Sequence, residues 1–184
     1  MACTPTSLVA ATNCDPSVGG LLYSYFAKFS DITSFTVTSG AITALVMSTT
    51  GLWKAWKPTR DSTAYFNATG SAPTKSSFQL DQVAFLKFAG ISKESVKAAN
   101  SMIPCCDLVG VHFLNDGSVL FQGIELNAAG TGIVQSKEAA RFVPSILSGS
   151  GDDESKTEFL VNSKAKNQAV GDPATITEAY ITGL

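Results

Sequence analysis

Charge is scarce in this 184-residue chain, since Asp, Glu, Lys and Arg together make up 15% of it. A globular protein usually carries about a quarter. No run of Lys or Arg occurs and the pI is about 5.3. These features exclude a free-standing nucleic-acid-binding protein, because that function needs a basic surface. Long hydrophobic runs are also absent, so the sequence predicts no membrane-spanning helix and no membrane partner. The first residues lack the positive and apolar regions of a signal peptide, and we expect no export.

Side chains for catalysis or metal binding are equally scarce. His112 is the one histidine, and it lies in a strand-like stretch where a hydrogen-bonded core histidine is the commoner role. The four cysteines are Cys3, Cys14, Cys105 and Cys106. They lack metal-ligand spacing, and without an export signal we expect them to be reduced and mostly buried. We therefore predict no catalytic residue, no cofactor and no metal site, and expect that the chain is not an enzyme.

Hydrophobic residues, by contrast, make up 45% of the chain and include 11 Phe, 4 Tyr and 2 Trp. With abundant Ser and Thr, this composition excludes disorder and favours β-structure. We predict a mainly β fold, a sandwich or barrel, with one short flanking α-helix at about 92–103. Ser92 is a good N-cap for this helix, and Pro104 ends it. The predicted organisation is an N-terminal arm at 1–30 and a single β-rich domain at 31–184.

Alternating apolar residues predict the strands, and their pattern predicts which faces are covered. The predicted strands are 32–39, 42–47, 77–89, 158–162 and 174–181, with a hairpin over 107–126 that turns at Asn115-Asp116-Gly117. Gly123 in that hairpin indicates a bulge or a close backbone approach. The stretches 41–56 and 78–89 carry apolar residues on both faces. We expect these faces to be buried against further copies of the chain.

A polar stretch at 58–76 is predicted to be a long loop between two strands, and a loop of this length inside a domain is usually either functional or disordered. We interpret it as an arm that contacts a neighbouring subunit. Aromatic residues precede and follow it, and Val83 and Phe85 lie on the half-apolar face of the next strand. The candidate inter-subunit contact residues are Trp53, Trp56, Arg60, Asp61, Tyr65, Phe66, Val83 and Phe85.

The order of these segments resembles that of the tail tube proteins of tailed bacteriophages. The resemblance rests on the strand Phe78–Ala89, the capped helix Ser92–Ile103 and the hairpin Asp107–Leu126. An acidic turn at Gly149–Glu154 followed by the strand Glu158–Asn162 extends it. It implies a virion structural protein with a β-sandwich or barrel and a flanking helix. Subunits of that family assemble into stacked rings, generally hexameric.

The function implied by this resemblance is that of a tail tube subunit whose lumen conducts DNA during ejection. The implied partners are further copies of the chain, other tail proteins and DNA in passage. The implied location is the virion tail, after assembly in the host cytoplasm. A pI near 5.3 fits a lumen that does not retain phosphate groups.

Three alternatives remain open at this point. A tail terminator or a capsid decoration protein would share the composition and much of the fold. A carbohydrate-binding β-sandwich module would use Trp53 and Trp56 as an exposed sugar platform. An unrelated β-rich domain would show the same strands. An enzyme is least favoured, because the carboxylates are scattered and Asp152, Asp153 and Glu154 form a solvated run.

Overall fold

The computed structural model describes residues 8–9, 20–58, 64–74, 77–105, 107–147 and 156–184. Within them the strands are β1 (Leu8–Val9), β2 (Leu21–Lys28), β3 (Ile32–Thr38), β4 (Ala41–Met47), β5 (Lys54–Lys57), β6 (Tyr65–Thr74), β7 (Ser77–Ala89), β8 (Leu108–Leu114), β9 (Val119–Gln122), β10 (Ile124–Leu126), β11 (Ile133–Gln135), β12 (Glu138–Leu147), β13 (Lys156–Ala165) and β14 (Val170–Gly171). The helices are α1 (Lys93–Met102), α2 (Glu178–Thr182) and a 3-10 turn at Phe29–Asp31. The predicted mainly β fold class with a flanking helix is confirmed. None of the described helices is long and apolar enough to cross a membrane.

Two sheets make up the fold. The larger, sheet A, has the strand order β1-β5-β2-β8-β9-β14-β4-β3. Its pairs are antiparallel except for β1 with β5 and β14 with β4. The smaller, sheet B, has the antiparallel order β12-β13-β7-β6. The sheets join where Leu108 of β8 pairs with Ala140 of β12, and β10 and β11 form a separate hairpin.

The first core lies between the two sheets. Trp56 of β5 is completely buried there and is surrounded by aromatic rings at centroid distances of 4.8 to 6.3 Å. Those rings are Phe26 of sheet A and Phe88, Phe142 and Phe159 of sheet B. Helix α1 packs against the same core through Ala98, Ala99 and Met102. Aromatic contacts therefore hold the sheets and the helix together.

The second core lies on the other face of sheet A. Tyr25, Val111 and Phe121 are paired across β2, β8 and β9, so they share that face. They belong to one cluster with residues of β4 and of the C-terminal segment, which are Ile42, Leu45, Ile176 and Ile181. Strands β2, β5 and β8 of sheet A therefore carry buried or partly buried residues on both of their faces.

Local signals placed the helix correctly, and the hairpin as far as Gln122; the predicted end of its return strand, Ile124–Leu126, is β10, which pairs with β11 instead of β8. Ser92 Oγ accepts a hydrogen bond from Ser95 N at 2.9 Å, and Ser95 Oγ accepts one from Ser92 N at 3.0 Å, which makes a capping box. Gly117 turns the β8–β9 hairpin with a φ of 85°. Gly123 has a φ of 82°, and a Cβ there would lie 2.4 Å from the carbonyl oxygen of Leu108. The predicted close approach at Gly123 is confirmed.

Two segment predictions are wrong. Leu21–Lys28 belongs not to an N-terminal arm at 1–30 but to strand β2, which pairs with β5 and β8 inside sheet A. Its apolar residues suit a strand that is covered on both faces. The predicted strand at 174–181 is instead a turn followed by α2, because Thr177 Oγ1 caps the helix by accepting from Tyr180 N at 3.2 Å. Residues 1–7 and 10–19 lie outside the described residues.

The predicted loop at 58–76 is also wrong for most of its length. Residues 65–74 form β6, which makes a hairpin with β7 from Tyr65 opposite Phe85 to Thr74 opposite Ser77. An edge strand pairs on one side only, and its exposed positions accept polar residues, so the composition imitates a loop. Residues 59–63 and 75–76 lie outside the described residues.

The expectation of reduced cysteines is wrong for Cys105. This residue is buried and disulfide-bonded. Cys3, Cys14 and Cys106 lie outside the described residues. Our expectation came from the missing export signal, which does not report on spatial proximity between cysteines. A disulfide is the oxidised form that persists outside the reducing cytosol.

Candidate subunit interface

Strand β7 divides its side chains between the two faces of sheet B. Gln82, Ala84 and Leu86 are buried in the interior. The alternation of a strand places Val83 and Phe85 on the opposite face, which we call the outer face of sheet B. These two side chains are only partly buried. The outer face is therefore the place to examine for a contact surface.

An apolar row crosses this outer face. Phe85 pairs with Tyr65 of β6 on one side and with Leu160 of β13 on the other, and Leu160 pairs with Val143 of β12. The rings of Tyr65 and Phe85 stack with a centroid distance of 5.3 Å. The row ends are open to solvent, with Tyr65 43% and Val143 49% exposed. Tyr65, Phe85, Leu160 and Val143 form the apolar row discussed below.

Polar and charged residues border the apolar row on both sides. On one side Lys87 pairs with Glu158, which makes an ion pair with Lys156 at 3.1 Å. On the other side, beyond Val83, Lys164 makes an ion pair with Glu138 at 3.2 Å. An apolar strip with a polar rim is the usual composition of a protein contact surface.

The structure brings together three of the predicted contact residues, Tyr65, Val83 and Phe85. Phe66 does not join them, because it lies on the inner face, where its ring is 4.8 Å from that of His112. Neighbouring positions of a strand point to opposite faces, so Tyr65 and Phe66 cannot share one surface. The predictions for Arg60 and Asp61 lie outside the described residues.

The two tryptophans are not at the surface, so their assignment as contact residues is wrong. Trp56 is completely buried between the sheets, and Trp53 is buried in the second core. The sequence pattern placed them on opposite faces, as the structure does. It did not show that β5 lies within sheet A, where both faces are covered. The sugar platform considered above is therefore not present as an exposed pair of indole rings.

Leu160 and Val143 belong to the apolar row, but the sequence analysis did not identify them as candidate contact residues. Leu160 stands between Phe159 and Val161, which are both completely buried. An uninterrupted apolar run of this kind puts its middle residue on the opposite face of the strand. That signal was available for Leu160. Val143 offered none, because Pro144 interrupts the apolar pattern around it.

The stretch 41–56 is also predicted to carry apolar residues on both faces. The rest of the chain buries these residues only in part. Ile42 and Leu45 are both buried although they are three residues apart. A register shift against β3 leaves Thr43 unpaired and resets the alternation. Val46 and Leu52 remain 53% and 56% exposed. This stretch therefore leaves scattered apolar positions at the surface, whereas sheet B presents a continuous row.

His112 is a structural residue in a buried network that links the sheets. Gln122 Nε2 donates to the backbone oxygens of Gln82 at 3.2 Å and Val161 at 2.7 Å, so its Oε1 is the acceptor facing His112 Nε2 at 3.0 Å. His112 Nδ1 then accepts from Ser24 Oγ at 2.8 Å. Burial lowers the pKa of His112 to about 4. The ring is neutral and enclosed, so it is unsuited to act as a catalytic base.

A second cluster fastens the C-terminal segment to sheet A. Tyr25 Oη and Lys57 Nζ both donate to Glu178 Oε1, at 2.6 and 2.5 Å. Burial of Glu178 raises the pKa of its carboxyl, but the hydrogen bonds from Lys57 and Tyr25 outweigh it and the net pKa is lowered. Tyr180 Oη accepts from Leu45 N and donates to Leu45 O, both at 2.9 Å. Strand β14 pairs with β4 only at Ala41 and Ile42. At Leu45, farther along β4, the Tyr180 hydroxyl takes the place of a neighbouring strand.

No protein-family model, no curated protein and no solved structure matches the chain. The resemblance to tail tube proteins therefore stays a prediction that rests on the order of motifs. In the part of the chain that the structure describes, no three His, Cys, Asp or Glu side chains gather to hold a metal ion.

Proposed function

We propose that the protein is a structural subunit that assembles with copies of itself, in the manner of a bacteriophage tail tube. In this proposal the subunits form stacked rings, hexameric by analogy with that family, and the lumen conducts DNA during ejection. The observation that carries the self-assembly is the apolar row of sheet B. Both cores are complete without it, so Tyr65, Phe85, Leu160 and Val143 are free to contact another chain.

The continuity of the apolar row and the ion pairs around it favour a specific protein contact. Four side chains follow one another across four strands, and ion pairs stand beyond them. Single exposed apolar residues are ordinary on a protein surface, whereas a continuous row with a polar rim favours a partner. The low charge of the chain also fits a subunit whose surfaces are buried by its neighbours.

Two further observations weigh against the alternatives. A carbohydrate-binding module would need exposed aromatic rings, but Trp53 and Trp56 are buried. The disulfide at Cys105 favours a protein that works in oxidising surroundings, which include the surface of a released virion. A tail terminator or a capsid decoration protein would have the same surface chemistry, and the form of the assembly distinguishes them from a tube.

Light scattering across a concentration series, followed by negative-stain microscopy, tests the proposal. We expect the natural chain to form rings or tubes, and Val143→Lys to remain monomeric because it places a charge in the apolar row. Thr50→Lys, at an exposed turn outside sheet B, is the matched control and should assemble normally. A natural chain that stays monomeric at high concentration would refute self-assembly. Single rings that never stack would favour a terminator, and binding to capsids a decoration protein.

A further inference from the structure

Strands β3 and β6 are the two ends of one continuous path of paired strands. This path runs β3-β4-β14-β9-β8-β12-β13-β7-β6. Within the described residues, each of the two end strands pairs on one side only, β3 with β4 and β6 with β7. Each therefore presents a side whose backbone N–H and C=O groups have no strand partner in the described chain.

Neither end strand carries the charged residues that commonly protect a sheet edge. Strand β3 has 7 residues, ITSFTVT, and β6 has 10, YFNATGSAPT, and neither contains a charged residue. Soluble proteins normally shorten such edges or place Lys, Pro or a bulge on them to prevent pairing with another chain. Pro73 and a register shift between Ser71 and Thr74 lie at the hairpin end of β6. One register shift lies at the start of β3, and the shift at Thr36/Val37 has its extra residue in β4. Residues 34–38 and 65–70 therefore have neither a charged residue nor a proline.

The two other edges of sheets A and B are protected in the expected ways. Strand β1 is only 2 residues long. Strand β12 pairs with β8 through Ala140 alone, and along its open side it carries Glu138, Arg141 and Pro144. Among the described edges of sheets A and B, two therefore have protection along their length and two do not. This difference favours β3 and β6 as the edges that pair with another chain.

We propose that the β3 edge of one copy pairs with the β6 edge of the next copy, so that the sheet continues from subunit to subunit. This inference rests on the self-assembly proposed above and names the strands that make the contact. A second copy is the partner because a single head-to-tail contact covers both unprotected edges, whereas a foreign strand would cover only one. Head-to-tail contacts form a closed ring when the rotations between successive subunits add up to a full turn. In such a ring every β3 edge and every β6 edge is paired.

The test uses two variants that each block one edge. Thr36→Lys places a charge at an exposed position of β3. Ala68→Lys places one at an exposed position of β6 that is not part of the apolar row. Each variant alone should remain monomeric. Mixed in equal amounts they should form a dimer and nothing larger, because one copy still offers β6 and the other still offers β3. Light scattering gives the masses, Thr50→Lys is the assembling control, and thermal melting confirms that both variants fold.

Amide hydrogen exchange on the natural chain gives a second readout that needs no variant. Amides of residues 34–38 and 67–70 should become protected when the assembly forms, while those of residues 49–50 should not change. If the lysine variants assemble normally, or the mixture yields no dimer, edge pairing is refuted while self-assembly stands. If the natural chain never assembles, the proposed function itself fails, so the two failures are distinguishable.

Discussion

The centre of sheet A differs from sheet B in how many of its faces the chain itself covers. Strands β2, β5 and β8 of sheet A contact sheet B through one face. Their other face contacts β4 and the C-terminal segment. Sheet B contacts sheet A and α1 through its inner face, while the apolar row lies on its outer face. The comparison separates residues that complete the fold from residues that are left for a partner. Substitutions in the first core should therefore lower stability, whereas substitutions on the outer face of sheet B should weaken assembly.

The largest loss of stability should follow from Trp56→Ala. This residue is completely buried and contacts four aromatic rings from both sheets. Removing a buried aromatic side chain costs about 3–5 kcal/mol, because a cavity remains. Urea denaturation of the monomer measures the change. A loss under about 1 kcal/mol would show that Trp56 is not the centre of the first core.

Acid should weaken the link between the sheets through His112. Its pKa is about 4 in the folded protein, whereas the unfolded chain has the ordinary histidine value of 6.5. As the pH falls through 6.5 the unfolded chain binds a proton first, so stability is lost down to about pH 4 and then levels off. The loss is on the order of 3 kcal/mol from this shift alone.

The described neighbours of the imidazole are uncharged, namely Ser24, Gln122, Phe26 and Phe66. The carboxylates of the chain titrate in the same range, so the natural chain must be compared with His112→Gln by urea denaturation at each pH. The stability difference between the two should shrink from pH 7 to pH 4. A constant difference would contradict the assignment of the acid effect to His112.

A smaller effect should follow from Tyr180→Phe, which removes the hydroxyl that bonds both backbone groups of Leu45. The expected loss is about 1–2 kcal/mol, because two partly buried backbone groups lose their partner. Tyr65→Phe is the matched control and should leave the stability unchanged, since Tyr65 is 43% exposed. Hydrogen exchange at the Leu45 amide locates the effect, and unchanged protection there would refute the role of Tyr180.

The smallest change in monomer stability should come from Leu160→Ala on the outer face of sheet B. Its side chain is only partly buried, so the expected loss is below about 1 kcal/mol. Assembly should nevertheless weaken, because the middle of the apolar row is removed. Denaturation at a concentration where the natural chain is monomeric measures the first effect, and light scattering measures the second. A loss as large as that of Trp56→Ala would mean that this face belongs to the core.

Local patterns predicted what depends on neighbouring residues in the sequence. Ser92 identified the helix start, the Asn115–Gly117 turn identified a hairpin, and the alternation in 77–89 identified a strand with two unequal faces. The sequence did not reveal what depends on position within the sheet. Trp56 and Phe85 both looked like strand residues with a spare apolar face, and only the strand order shows that one is enclosed and the other open.

The point where the two sheets join has a consequence for how much the sequence can vary. Gly123 has a positive φ there, and a Cβ would lie 2.4 Å from Leu108 O and 3.0 Å from Ala140 N. Both neighbours are backbone atoms, so no rotamer change relieves the overlap. In a library of all single substitutions selected for folded protein, position 123 should therefore retain glycine alone.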